Sequence, residues 1–121
     1  MTIGKQRGGF EFSVTSFTAE RNGIVHVNIE GRVAGFDTLI GTITLKSWQG
    51  GFGGVRFVAT AFGDEGAQAG TVGEGHYLRI GKEHRFRVRG IIRSDDAGLV
   101  LTDGVLDILA HSYSGTVFEW D

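Results

Sequence analysis

The sequence predicts an all-β protein, folded as an antiparallel up-and-down (meander) β-barrel of about eight strands. Three observations indicate this class: apolar and polar residues alternate along the chain, turn motifs separate the alternating segments, and no window has a helical period. Glycine occurs 21 times and proline never, which is typical of tight turns and bends within a sheet. We assign residues 1–121 to a single β-barrel domain, since this is an ordinary length for one domain.

Eight alternating segments are the predicted strands, in the order FEFSV, GIVHVNIEG, LIGTITLKSW, GGVRFVATAF, VGEGHYLRIG, EHRFRVRGII, GLVLTDGVLDILA and HSYSGTVFEW. In the second segment, for example, Val25, Val27 and Ile29 share one face. The stretch GDEGAQAGTVGEG is the loosest part of the chain and is predicted to be a mobile loop. Short connections favour a meander, and a meander exposes its edges unless it closes. A closed barrel is therefore the first choice, and a two-sheet β-sandwich is the alternative.

Basic residues are concentrated in one segment of the chain. Residues 79–93 hold half of the 12 Lys and Arg residues, whereas residues 94–121 hold six acidic residues and no Lys or Arg. Neighbouring antiparallel strands of opposite sign attract each other, so Arg85, Arg87 and Arg89 are interpreted as a cross-strand charge ladder. The net charge of −2 disfavours nucleic acid as a partner.

The turn before the arginine strand decides which side chains enter the barrel. A two-residue loop would place Tyr77 opposite Phe86, whereas a three-residue loop would place His76 there. A slip of one residue exchanges the two faces, and the three-residue loop gathers more apolar side chains on one face. We therefore expect Glu74, His76, His84 and Phe86 to point inward and the arginines to face water.

The following strand is expected to turn Leu99 and Leu101 toward the interior. Its apolar positions then shift to Leu106 and Ile108. A phase shift of this kind at Asp103-Gly104 predicts a β-bulge.

Candidate catalytic residues are Glu74, His76 and Tyr77. A carboxylate and an imidazole in an apolar pocket suit proton transfer, because desolvation raises the pKa of a carboxyl group. The alternative is a polar pair that faces solvent or is satisfied by its neighbours. Aromatic side chains often line ligand pockets, and Arg87 could hold a ligand carboxylate if its strand were turned inward. The candidate ligand-binding residues are Trp48, Phe57, His84, Phe86, Arg87 and Tyr113.

Several kinds of site are excluded or disfavoured. The chain has no cysteine, and its four histidines lack the spacing of metal ligands, so we expect no metal and no cofactor. No apolar run has the length of a signal peptide or a membrane span. We expect a cytoplasmic protein without a membrane partner.

The pair of segments ATAFGDEG and GEGHYLRIG resembles a strand–loop–strand unit of the small eight-stranded barrels of the calycin and allene-oxide-cyclase-like groups. The resemblance implies a barrel whose apolar mouth binds hydrophobic small molecules. Some members cyclise a reactive substrate without a cofactor, chiefly by holding its shape. No catalytic residue is carried over from these groups.

These observations predict binding of a hydrophobic or amphipathic small molecule, which could be an organic acid, in the barrel pocket. The alternative is a cofactor-free cyclase or isomerase that uses the same pocket. A second alternative is a structural or oligomeric module whose barrel is filled by its own side chains. Pairing through an exposed strand face would give a homodimer.

Overall fold

The chain forms eight antiparallel strands that close into one barrel, as the sequence predicts. The computed structural model describes residues 3–33, 36–46, 51–95 and 98–120. The strands are β1 (Ile3–Ala19), β2 (Val25–Val33), β3 (Phe36–Leu45), β4 (Phe52–Phe62), β5 (Gln68–Arg79), β6 (Arg85–Ser94), β7 (Gly98–Asp107) and β8 (Ser112–Trp120). A short 3-10 turn at Asp64–Gly66 connects β4 to β5. In the described ranges, no helix has the length and apolar character needed to cross a membrane.

Pairing between the first and last strands closes the sheet. Each strand pairs with the next one along the chain, and β1 also pairs with β8, where Phe12 lies opposite Tyr113. The register between β1 and β2 shifts between Val14 and Ser16. Such a bulge bends a strand and increases its twist, which suits a long strand that follows the curve of the barrel. Every strand therefore has two neighbours, and the β-sandwich alternative is wrong.

The interior is tightly packed at one end. This is the end where β1 joins β2, β3 joins β4, β5 joins β6 and β7 joins β8, and we call it the closed end. Large side chains there are almost fully buried: Val27, Leu45, Tyr77, Phe86 and Leu106. Each such burial stabilises the fold by roughly 1.5–3 kcal/mol. We call the opposite end, where β4 joins β5 and β6 joins β7, the open end.

Glycines that face each other on neighbouring strands bring the backbones close together. Gly75 on β5 pairs with Gly90 on β6, and Gly104 on β7 pairs with Gly115 on β8. A Cβ atom at Gly75 would lie 1.9 Å from the carbonyl oxygen of Arg89. Only glycine permits such an approach, which marks a tight bend in the barrel wall.

The connection between β5 and β6 is a four-residue loop, so the predicted three-residue loop is wrong. The loop spans residues 81–84, and Tyr77 lies opposite Val88. Tyr77 therefore faces inward, whereas Glu74 and His76 lie exposed on the outer face. The prediction that the arginines of β6 face water is confirmed.

Counting apolar residues misled the choice of register because this interior needs small residues beside large ones. The predicted register would have buried Val72 and Leu78, which are 53% and 61% exposed on the outer face. The inward positions before Tyr77 are instead occupied by Gly73 and Gly75. An eight-stranded barrel is only just wide enough for its own side chains, so a large inward ring needs glycine nearby.

Strand β7 runs without the predicted bulge. It pairs with β6 and β8 in unbroken register, and Ile92 lies opposite Val100. Leu99 and Leu101 consequently face outward, and the bulge predicted at Asp103-Gly104 is wrong. Thr102 and Gly104 take the inward positions between Val100 and Leu106, so of the three leucines in this strand only Leu106 marks the inner face.

Candidate functional site

A cavity of about 340 Å³ occupies the open half of the barrel. The described residues that form its wall come from β1 and from β3 to β8. Most of the side chains on the wall are apolar, among them Leu39, Ile43, Phe57, Val88, Ile92 and Val100. Sites for small molecules have volumes of about 300–1,000 Å³ and mostly apolar walls. The cavity lies within this range of volume, and its wall has this apolar character.

Small residues at inward positions create this space. Ala61 on β4 and Ala69 on β5 lie directly opposite each other near the open end, and both face the cavity. Gly90 lies on the same wall, further from the mouth. The closed end carries Leu45 and Leu106 at corresponding inward positions. The difference in side-chain size between the two ends therefore determines where the cavity lies.

Three aromatic rings form one side of the cavity. The ring centroid of Phe10 lies 5.5 Å from that of Phe12 and 4.9 Å from that of Tyr113. Gly104 leaves room for two of these rings, because a Cβ atom there would lie 2.8 Å from Phe10 and 2.9 Å from Tyr113. Ring pairs at these distances stabilise each other beyond simple burial and present a rigid apolar surface.

The Tyr113 hydroxyl is the buried polar group on this side of the cavity. Thr102, whose side chain lies close to this hydroxyl, also lines the cavity. Burial raises the pKa of the Tyr113 phenol well above its ordinary value; the charge of nearby Asp103 adds to this, and the neighbouring Thr102 hydroxyl partly opposes it. Tyr113 is therefore neutral at physiological pH.

The mouth of the cavity is more polar than its interior. Thr71 on β5 lies opposite Ser94 on β6, and both line the cavity where these strands approach the open end. Asp95 fixes this rim: its side chain accepts a hydrogen bond from the Gly70 amide at 2.8 Å, and its own amide donates to the Gly70 carbonyl at 3.0 Å. Arg7 on β1 also lines the cavity and is exposed.

The predicted catalytic residues do not converge inside the barrel. Glu74 borders the cavity, but it is exposed and pairs with Arg56 and Ile91 on the outer face. Its chain neighbours are glycines, so we attribute its contact with the cavity to its main chain. His76 is exposed on the same outer face. The expectation that Glu74 and His76 point inward is wrong, because the register differs from the predicted one.

Tyr77 points inward but belongs to the closed end. Its hydroxyl donates a hydrogen bond to the carbonyl oxygen of Lys46 at 2.5 Å, and its ring packs edge-on against Phe86 with centroids 6.0 Å apart. Burial raises the pKa of the Tyr77 phenol. In this position Tyr77 helps to seal the barrel rather than to line the cavity.

The predicted ligand-binding residues lie in several different places. Phe57 and Tyr113 line the cavity. Phe86 is buried in the closed end, and His84 is exposed in the loop before β6. Trp48 lies outside the described residues.

Arg87 is on the outer face and does not line the cavity. Its guanidinium forms two hydrogen bonds with Asp103, from Nε to Oδ1 at 3.0 Å and from Nη2 to Oδ2 at 2.8 Å. Arg89 also approaches Asp103, with Nε 3.4 Å from Oδ2. The hydrogen bond from Arg87 holds the pKa of Asp103 below its usual range, although partial burial acts the other way. Cross-strand charge pairing is therefore confirmed for Arg87 and Arg89, whereas Arg85 pairs with Glu83 in the loop before its own strand, with Nε 2.9 Å from Oε2.

Sequence reasoning missed several residues of the cavity. Thr102, Ala61 and Ala69 were not singled out, since no short motif marks a small or hydroxyl residue as part of a cavity wall. The stretch GDEGAQAGTVGEG was predicted to be a loop, but β5 already begins at Gln68, so the second part of the stretch is a strand that forms part of the cavity wall. The sequence does contain a signal: from Ala69 to Gly75, every second residue is alanine, threonine or glycine, which is the pattern of a strand with small side chains on one face.

The chain matches no protein-family model, no curated protein and no solved structure.

Proposed function

We propose that the barrel binds one small apolar or amphipathic molecule in its cavity. The observation that carries this proposal is the unequal filling of the barrel: large side chains plug the closed end, and small ones leave about 340 Å³ near the open end. Packed protein interiors leave few voids larger than a water molecule. A ligand that covers the apolar wall would gain roughly 25 cal/mol for each Å² that it removes from water.

The volume limits the size of the ligand. A space of about 340 Å³ equals the liquid volume of roughly 11 water molecules at about 30 Å³ each. A ligand with on the order of 10–15 non-hydrogen atoms therefore fits inside the barrel. A longer molecule would extend through the mouth, past Thr71, Ser94 and Arg7.

The resemblance to calycin and allene-oxide-cyclase-like barrels agrees with this proposal. The segments that suggested it belong to β4 and β5 and to the connection between them, and these strands provide Ala61 and Ala69 to the cavity wall. Members of these groups hold hydrophobic molecules in the barrel. A cofactor-free cyclase or isomerase remains a prediction, and no observation favours it over simple binding because Glu74 and His76 lie on the outer face.

Naphthalene is a suitable first probe, because it is apolar and of about the right size. We expect isothermal titration calorimetry to give saturable binding of one molecule per chain. Ala69→Leu should weaken binding at least tenfold, because its side chain projects into the cavity. Val72→Leu enlarges an exposed outer residue of the same strand and should leave the affinity unchanged.

Native mass spectrometry of protein purified from a cell extract, with a denatured control, would identify a natural ligand by its mass. Thermal denaturation of both variants establishes that they are folded. Absence of saturable naphthalene binding by the unmodified protein would contradict the proposal. Equal binding by folded Ala69→Leu would contradict it as well.

A further inference from the structure

The two hydroxyl groups of Tyr113 and Thr102 restrict the chemistry of the ligand, given the proposed function. Both residues line the cavity, and their side chains lie close to each other. The surrounding wall consists of apolar side chains, including Phe10, Phe12 and Val117. A purely hydrocarbon ligand would make no use of these hydroxyls.

The hydrogen-bonding capacity of this pair is not exhausted. Two hydroxyl groups have two protons and four lone pairs, and a bond between them uses one of each. At least one proton and three lone pairs remain, and both residues lie on the cavity wall. The pair can therefore donate one hydrogen bond to a ligand oxygen and accept another from it.

The same surroundings disfavour a charged group beside the pair. Tyr113 packs against aromatic rings, and the carboxylate of Asp103 is close enough to act on it electrostatically. An anion buried there would lose its hydration without gaining a cation. Among the described residues of the cavity wall the cationic side chain is Arg7, which is exposed.

We propose that the ligand is a small apolar molecule with one neutral oxygen, a hydroxyl or a carbonyl group, bound by Tyr113 and Thr102. This inference rests on the proposed function and narrows it to a chemical class. A phenol, an alcohol or a ketone satisfies it. A hydrocarbon leaves the hydroxyl pair unused, and a carboxylate is expected to keep its charged end at the mouth.

Naphthalene, naphthol and naphthoate test this inference, because they share a ring system and differ in the polar group. We expect the unmodified protein to bind naphthol about tenfold more tightly than naphthalene, which corresponds to one net hydrogen bond. Naphthoate should bind more weakly than naphthol. In folded Tyr113→Phe the naphthol affinity should fall to within about twofold of the naphthalene affinity of the same variant.

Tyr77→Phe is the matched control, because it removes the hydroxyl of the other inward tyrosine, which is bonded to Lys46 at the closed end. Its preference for naphthol should remain. Thr102→Val provides a second test if Tyr113→Phe folds poorly, and it should also reduce the preference. The inference is overturned if naphthalene binds as well as naphthol, if naphthoate binds best, or if folded Tyr113→Phe and Thr102→Val both keep the preference. Failure of all three compounds to bind would instead contradict the proposed function.

Discussion

Substituting Gly75 by alanine tests whether the barrel depends on close contact between glycines. The added Cβ atom would lie 1.9 Å from the carbonyl oxygen of Arg89 and 2.6 Å from the Cα atom of Gly90. Strands β5 and β6 must separate by about 1 Å to bring the first contact to 3.0 Å, where real Cβ atoms begin to be found. Overpacking of this kind costs about 1–3 kcal/mol. For a chain of this size, the melting temperature should fall by roughly 3–12 °C.

Gly54 on β4 is the matched control. A Cβ atom there would meet nothing within 4 Å, and its backbone is not in the left-handed region. Gly54→Ala should therefore stabilise the protein by about 0.4–1 kcal/mol, because it restricts the unfolded chain without straining the folded one. Urea and thermal denaturation, followed by circular dichroism, measure both variants. Equal melting temperatures for Gly75→Ala and Gly54→Ala would refute the packing argument.

Three further predictions concern the rest of the barrel. The pair with Arg87 lowers the pKa of Asp103 in the folded protein. The pair therefore stabilises the fold at pH values above the unfolded pKa of about 3.9, and this stabilisation is lost as the pH falls through the folded pKa. In Asp103→Asn the urea concentration at the midpoint of unfolding should fall less steeply as the pH is lowered than it does in the unmodified protein. An equally steep fall would contradict this prediction. Leu106 is 0% exposed and Leu109 is 76% exposed. In urea denaturation, Leu106→Ala should lower the free energy of unfolding by about 2–5 kcal/mol, whereas Leu109→Ala should lower it by less than about 0.5 kcal/mol. If two copies pair through the exposed apolar residues of the outer face, the protein should sediment as a dimer, and Val72→Arg should dissociate it. Sedimentation of the unmodified protein as a monomer would exclude this pairing.

Strand order and barrel closure could be predicted from the sequence because they depend on features that a sequence displays directly. Alternation identifies strands such as the one containing Val25, Val27 and Ile29, and all three residues are indeed inward or buried. Short connections limit each strand to pairing with its chain neighbours. Closure then follows from the need to pair the first and last edges.

Strand register was harder to predict, because both faces of this barrel carry apolar residues. Val72 and Leu78 alternate with Gly73 and Tyr77, so a count of apolar side chains selects the wrong face. The inner face is recognised by the fit of side-chain sizes across several strands, and this information is distributed over the whole chain. The same error placed Glu74 and His76 in the interior, although both lie on the outer face. Phe57 and Tyr113, two of the predicted ligand-binding residues, line the cavity.

The uneven filling of the barrel separates the residues that hold the fold from those that would select a ligand. Backbone amides near Leu45 and Leu106 should exchange with solvent deuterium only through global unfolding, whereas those near Ala61 and Ala69 should exchange through local opening. Under the proposed function, substitutions at the mouth would change which molecules enter while the sealed half keeps its stability. Changing alanines, threonines and glycines at one end would then alter the choice of ligand without loss of the fold.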